Sequence, residues 1–251
     1  MLYYQHYVFI FYMTHTRGTI AIKILVTILV IGLIIFAGYT LYYLWQFKYG
    51  DPEIRARIQL QYSDQFSKGI DKEAPSDFPQ YREIIHTHNP QIGNPQAPIT
   101  IIVFIDFECP YCQAQYPVFS YIRDQYGPAI NIVFKHTPLT DLHPQSLNAA
   151  LASSCAAEQQ KFWEFHDRLF ETKQLGEHAL FETATLLKLN SSQFNNCFTT
   201  KKYLNDIQED MNDAARVGVR GTPTMLINGT IVEGVLSQKN WDTLLLSYLK
   251  K

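Results

Sequence analysis

The stretch Ile99–Phe107, ITIIVFIDF, runs directly into Glu108-Cys109-Pro110-Tyr111-Cys112. A short run this rich in β-branched and aromatic residues fits a strand buried on both faces. Proline is favoured at the first helical position, so Pro110 predicts a helix that starts at once and runs to about Tyr126, where Gly127-Pro128 ends it. Pro117 lies inside that helix and should kink it. Two cysteines are thereby set on the first turn of a helix at the end of a buried strand. Unpaired backbone N–H groups and the helix dipole stabilise a thiolate there. A thiolate is both the attacking species and the better leaving group in thiol–disulfide exchange. Cys109 is thus the expected nucleophile and Cys112, one turn deeper, the resolving thiol. Pro110 keeps the helix start rigid, and Tyr111 completes the dipeptide that tunes reduction potential. The alternative, half of a zinc site, needs two more ligands, and Cys155 and Cys197 do not form a second Cys-x-x-Cys. The expected redox group is the Cys109–Cys112 disulfide itself, with no metal and no other cofactor.

The rest of the chain from Ile84 reads as one α/β domain. Ala129–His136 is a second buried strand, and a mostly helical stretch follows from about residue 143 to 219. Its helices are expected within Ser146–Glu171 and at Glu177–Leu189, Ser191–Phe198 and Tyr203–Val217. Two short strands, Pro223–Ile227 and Ile231–Val235, are joined by Asn228-Gly229, a type I′ hairpin signal, before a last helix at Gln238–Leu249. Gly221-Thr222-Pro223-Thr224 opens the first of these strands, where proline is tolerated. A cis Thr222–Pro223 bond there would turn the Thr222 backbone outward beside the cysteine pair.

Ile24–Leu44 is 21 residues without a charge, spanning about 30 Å as a helix, the thickness of a bilayer's hydrocarbon core. Tyr39, Tyr42, Tyr43 and Trp45 cluster at its far end as aromatic residues do at a membrane interface. It is too long for a signal-peptide core and lacks a small-x-small cleavage pair, so residues 24–45 are expected to be a transmembrane signal anchor. Arg17 and Lys23 precede it and Lys48, Arg55 and Arg57 follow, a bias too small to orient it. Residues 46–83 read as a stalk and 1–23 as a tail. The first dozen residues are aromatic and nearly uncharged, whereas Met13 opens the more ordinary Thr-His-Thr-Arg-Gly, so translation is expected to begin at Met13. An intact-mass measurement should find nothing before Met13; Met1 or Leu2 at the mature N-terminus would refute this. A formal net charge of −2 and no basic run exclude a nucleic-acid face.

Together, Asn94-Pro95-x-Ala97-Pro98, Asp106-Phe107-x-Cys109-Pro110-Tyr111-Cys112, Pro138-Leu139, His143-Pro144, Phe162-Trp163-x-Phe165-His166 and Gly221-Thr222-Pro223-Thr224 resemble the DsbA-like thioredoxin family over about residues 90–248. The resemblance implies a thioredoxin fold with a helical insertion between the second and third core strands and a cis Pro223. It implies that the domain forms disulfides outside the cytoplasm in reduced or unfolded exported proteins and is reoxidised by a quinone-linked membrane oxidase; with the anchor at 24–45, the expected protein is single-pass with its catalytic domain extracytoplasmic. It also implies a structural disulfide between Cys155 and Cys197, the alternative being two free core cysteines. By chain entropy such a bridge would stabilise by roughly 4 kcal/mol.

Two positions depart from the family pattern. Several superfamily members carry a buried acid six residues before the nucleophile, where this chain has Val103. Asp106 and Glu108 lie nearer, as proton relays or, on the plainer reading, solvated strand-end acids. The Pro-Tyr dipeptide also occurs in glutaredoxins, so the direction of electron flow stays open between an oxidase and a reductase or isomerase. A third reading is a non-catalytic client-binding module. His136 reads as a structural histidine at a strand end, His143-Pro144 as the start of a helix, and Phe162, Trp163 and Phe165 as core. The sequons at Asn190 and Asn228 carry no weight, and no dimerisation element is visible, so a monomer is expected.

Overall fold

The computed structural model of the protein describes residues 27–42 and 77–250. The expected tail, the Met13 start, the ends of the 24–45 stretch and the stalk up to residue 76 lie outside the described residues. Residues 27–42 form one helix, α1, whose apolar side chains are bare, Ile28 63%, Ile34 65% and Phe36 67% exposed. Among the described residues no helix is long and apolar enough to cross a membrane.

In residues 77–250 the sheet order is β1-β3-β2-β4-β5. β2 (Ile99–Ile105) lies at the centre, parallel to β3 (Ile130–His136) and antiparallel to β4 (Thr224–Ile227). A parallel pair needs a crossover, supplied by α2 (Pro110–Tyr126). Every residue of β2 and β3 is buried, as in a strand covered on both faces. Ile101, Val103 and Ile105 face a large core shared with Cys112, Ile122, Phe165 and Trp241. Ile102 and Phe104 face a smaller one with Val133, Leu226 and, from α7 (Leu204–Val217), Ala214 and Val217. β5 (Thr230–Glu233) turns back on β4 through Asn228 and Gly229, whose φ values of 47° and 95° are the paired positive values a type I′ turn requires. The fold is an α/β domain with a mixed sheet.

Some boundaries differ from the sequence expectation, each for a local reason. β2 stops at Ile105, before Phe107, because Asp106 turns the chain: its carbonyl accepts Cys109 N–H at 3.2 Å and its carboxylate accepts Glu108 N–H at 2.8 Å. α2 runs through Pro117 as one element. The 146–171 stretch is two helices, α3 (Ser146–Ala157) and α4 (Phe162–Thr172), separated at Gln160 with φ 58°. α5 (Glu177–Leu186), α6 (Ser191–Thr199) and α8 (Gln238–Leu249) complete the set. An additional edge strand, β1 (Gln91–Gly93), pairs antiparallel with β3. Residues 77–83 belong to the domain and not to a stalk: Phe78 N–H donates to Gly229 O at 2.6 Å, and Ile84, in the 3-10 turn Tyr81–Ile84, is fully buried in the smaller core.

A buried ionic knot ties that lead-in to α7. The Lys135 ammonium, with no solvent exposure, donates to Asp210 at 2.9 Å and Asp213 at 2.8 Å. Asn89 Nδ2 donates to Asp210 at 2.7 Å, and the rings of His86 and His88 bond Asp213 at 2.7 Å and Asp210 at 3.1 Å.

Cys155 on α3 and Cys197 on α6 are joined by a disulfide with a Cα–Cα distance of 5.8 Å, closing a separation of 42 residues inside the helical insert. Replacing both by alanine should lower unfolding free energy by roughly 4 kcal/mol in urea titration; a loss below about 1 kcal/mol would mean that native packing holds the insert without it.

Candidate active site

Cys109 is the N-cap of α2, with extended φ −63° and ψ 123°, and Pro110 follows at the helix start. The first turn closes through Gln113 N–H to Cys109 O at 3.0 Å. The Cys109 thiol donates to the Thr222 carbonyl at 3.2 Å, across 113 residues of sequence. The Thr222–Pro223 bond is cis, and Thr222 is buried. Two distant motifs therefore meet at one sulfur. Both thiols of the pair are free, Cys109 being 3% and Cys112 1% exposed, while Tyr111 between them is 54% exposed.

The environments of the two sulfurs differ sharply. The hydrogen bond from Cys112 is the largest influence on Cys109; burial opposes it, and Thr222 and the backbone N–H groups of Cys112 and Tyr111 reinforce it, bringing its pKa down to about 6. Burial, with Cys109 alongside, pushes the Cys112 thiol well above the ordinary range. At neutral pH the site therefore holds one thiolate, at Cys109, and one thiol, at Cys112.

Asp106 corrects the sequence reading. It is not solvated but 1% exposed, and its carboxylate accepts from Leu139 N–H at 2.8 Å and bonds His143 Nδ1 at 2.8 Å. Glu108 accepts from Gln145 N–H at 2.6 Å. The two acids pin the loop after β3 against the loop that carries Cys109. His143 is thus more than a helix start: burial works against its protonation, but the Asp106 bond and charge, with Cys109 and Glu108 nearby, raise its pKa. Nothing local in the sequence announces this contact, which spans 37 residues. His136 is buried and takes a hydrogen bond with Ser154 Oγ at 3.1 Å, and burial drops its pKa to about 4, so it stays neutral. Phe162 and Phe165 are core, whereas Trp163 is half-buried and donates from Nε1 to Gln91 O at 3.0 Å. Val103, in the position of the superfamily's acid, is a buried apolar side chain facing the same core as Cys112. Among the described residues no group of three or more His, Cys, Asp or Glu could hold a metal.

A family model described as thioredoxin matches residues 86–246. The chain belongs to the thioredoxin family. Within it the fold is DsbA-like. A thioredoxin-like oxidoreductase from Silicibacter pomeroyi superposes with a TM-score of 0.62 at 24% identity, covering 68% of this chain and 98% of that one. The α-DsbA1 protein of Wolbachia pipientis gives 0.58 at 24% identity, covering 66% and 93%. Among curated proteins, a Na+/H+ antiporter, NhaA 3 of Salinispora tropica, is 36% identical over 138 residues, 55% of this chain. The matched chain spans about a fifth of that antiporter's length, 21%.

The thioredoxin-family site makes its own pH prediction. Alkylation of the reduced protein by iodoacetamide should follow a single thiolate titration with a midpoint near 6, and Cys112→Ala should move that midpoint up by removing the main hydrogen bond to Cys109. The sign for stability follows: a thiol depressed from 9.0 to about 6 favours the reduced fold fully above 9, and that contribution is lost as pH falls through 6. A flat alkylation profile between pH 5 and 8 would contradict the assignment.

Proposed function

We propose that this protein is a membrane-tethered thiol–disulfide oxidoreductase that introduces disulfides into exported proteins through Cys109 and Cys112. The observation that carries the reading is the pairing of a low-pKa Cys109 at a helix N-terminus with a buried, high-pKa Cys112 beside the Thr222 carbonyl. A client thiolate attacks Cys109 Sγ of the Cys109–Cys112 disulfide, and Cys112 leaves and takes up a proton. The client's second thiolate then attacks its own sulfur in the mixed disulfide, so the client leaves oxidised and Cys109 leaves as a thiolate. Reoxidation returns two electrons to a membrane partner, for which a quinone-linked oxidase is the expected class. Substrates are reduced or unfolded exported chains, which contact the exposed Tyr111 (54%) between the two cysteines.

The Cys155–Cys197 bridge supports an oxidising, extracytoplasmic setting, because such bonds do not persist in a reducing cytosol. The uncharged 24–45 stretch and the bare apolar side chains of α1 support the tether.

The test is alkylation trapping of all four thiols in intact cells, read by gel shift, together with Cys112→Ser as a trap. An oxidase should show both pairs oxidised at steady state, and the trap should accumulate mixed disulfides with exported clients. Cys109–Cys112 reduced with Cys155–Cys197 oxidised would turn the reading to a reductase or isomerase, and four free thiols would overturn both the oxidase and the topology. Activity surviving Cys109→Ser would mean a non-catalytic binding module.

A further inference from the structure

Exchange in either direction must move a proton on or off Cys112, which is 1% exposed and cannot use bulk water. Behind its sulfur lies a cavity of about 20 Å³, enough for a water. On the sheet side its walls are apolar, Val103 among them; on the helix side they include Tyr116 and Ser120 of α2 and His166 and Asp167 of α4. His166 is 7% exposed and held among aromatic rings, Phe170 at 4.9 Å and Trp163 at 5.2 Å. Its Nδ1 lies 2.9 Å from Asp167 Oδ1. A carboxylate only accepts, so Nδ1 carries the hydrogen and Nε2 the lone pair. Asp167, 26% exposed on its side chain, takes a hydrogen bond from Arg123 Nη1 at 3.3 Å and links the pair to solvent.

We infer that the His166–Asp167 pair moves the proton of Cys112 across this cavity, through a bridging water, in place of the acid that Val103 replaces. The inference rests on the thiol–disulfide exchange proposed above. When Cys112 attacks a Cys109 mixed disulfide, its S–H proton passes to His166 Nε2. The Cys112–Cys109 S–S bond forms, the Cys109–client S–S bond breaks, and the client leaves as thiolate. When Cys112 is expelled by a client thiolate, a proton drawn from solvent at the part-exposed Asp167 passes through the ring to Cys112, and no net charge stays buried. Burial holds the His166 pKa below its usual 6.5 against the pull of Asp167, so the ring is a neutral acceptor at pH 7. The titratable and charged groups facing it are Asp167 on its own helix, Cys112, Tyr116 and Arg123 on α2, and His136 on β3. His136 stays neutral in this range.

The test uses the full chain, reduced at Cys109–Cys112, mixed with a chromogenic nitrobenzoate aryl disulfide in stopped flow. The first thiolate released reports attack by Cys109, and the second reports resolution by Cys112. His166→Asn should leave the first phase unchanged and slow the second at pH 7 by about 10²-fold. In the wild type the second phase should fall as pH drops through the His166 pKa, below 6.5; in the variant that inflection should vanish and the rate should climb with hydroxide. Asp167→Asn, at a part-exposed position, should give a smaller loss and keeps the test open if the core variant does not fold. Adding Val103→Asp to His166→Asn should restore the second phase by supplying a carboxylate at the same cavity. An unchanged second phase with an unchanged pH profile in both single variants would overturn the inference. Absence of both phases in the wild type would instead remove the exchange activity on which it rests.

Discussion

Two sulfurs one helical turn apart are given opposite chemistry by where α2 begins. Cys109 is the N-cap, meeting unpaired N–H groups and the Cys112 donor, so its charge is stabilised although the residue is 3% exposed. Cys112, inside the first turn, is buried with Cys109 alongside and keeps its proton. That difference requires the helix start to be fixed against the sheet, and the surrounding structure does the fixing. β2 is buried over its whole length, Asp106 ends it by bonding Glu108 N–H, and the same carboxylate holds Leu139 N–H and the His143 ring. Removing the Asp106 carboxylate would release three hydrogen bonds at once, two of them to backbone.

The opposite face of the sheet is secured by charge. Lys135 neighbours His136 at the end of β3 but points into the smaller core, where a lone ammonium would be prohibitively desolvated. Asp210 and Asp213 of α7 make it tolerable, and His86, His88, Asn89, Arg216 and the His136 N–H bond the same two carboxylates. Losing one member of such a knot strands the others, at a cost of several kcal/mol. The knot places the lead-in segment, α7 and β3 in one arrangement, and β3 in turn is the parallel neighbour of the strand that delivers Cys109.

Local features were legible in the sequence because each depends on residues close in the chain. The apolar run of β2, Pro110 at the helix start and the Asn228-Gly229 turn announce themselves through short-range rules. The motif set of the family brought Thr222-Pro223 to the cysteines, which local propensity could not. What escaped was non-local and polar. β1 is three residues long and exists by pairing with β3. The Asp106–His143 bond spans 37 residues and the Lys135–Asp210 bond 75, and neither side chain differs in type from a solvated one. Residues 77–83 looked like linker because their apolar members, Phe78 and Tyr81, are too few to show periodicity, yet both pack against the smaller core.

The Cys109 pKa also bears on the direction of electron flow. A stabilised thiolate favours the reduced form and so makes the disulfide more oxidising. A value of about 6 lies between those of thioredoxin, about 7, and DsbA, about 3.5. The lowered Cys109 pKa thus acts in the oxidising direction. An oxidase also depends on kinetics, on a partner that recycles the pair faster than clients reduce it. Under the proposed tether, such a partner in the same membrane would meet the domain at high effective concentration.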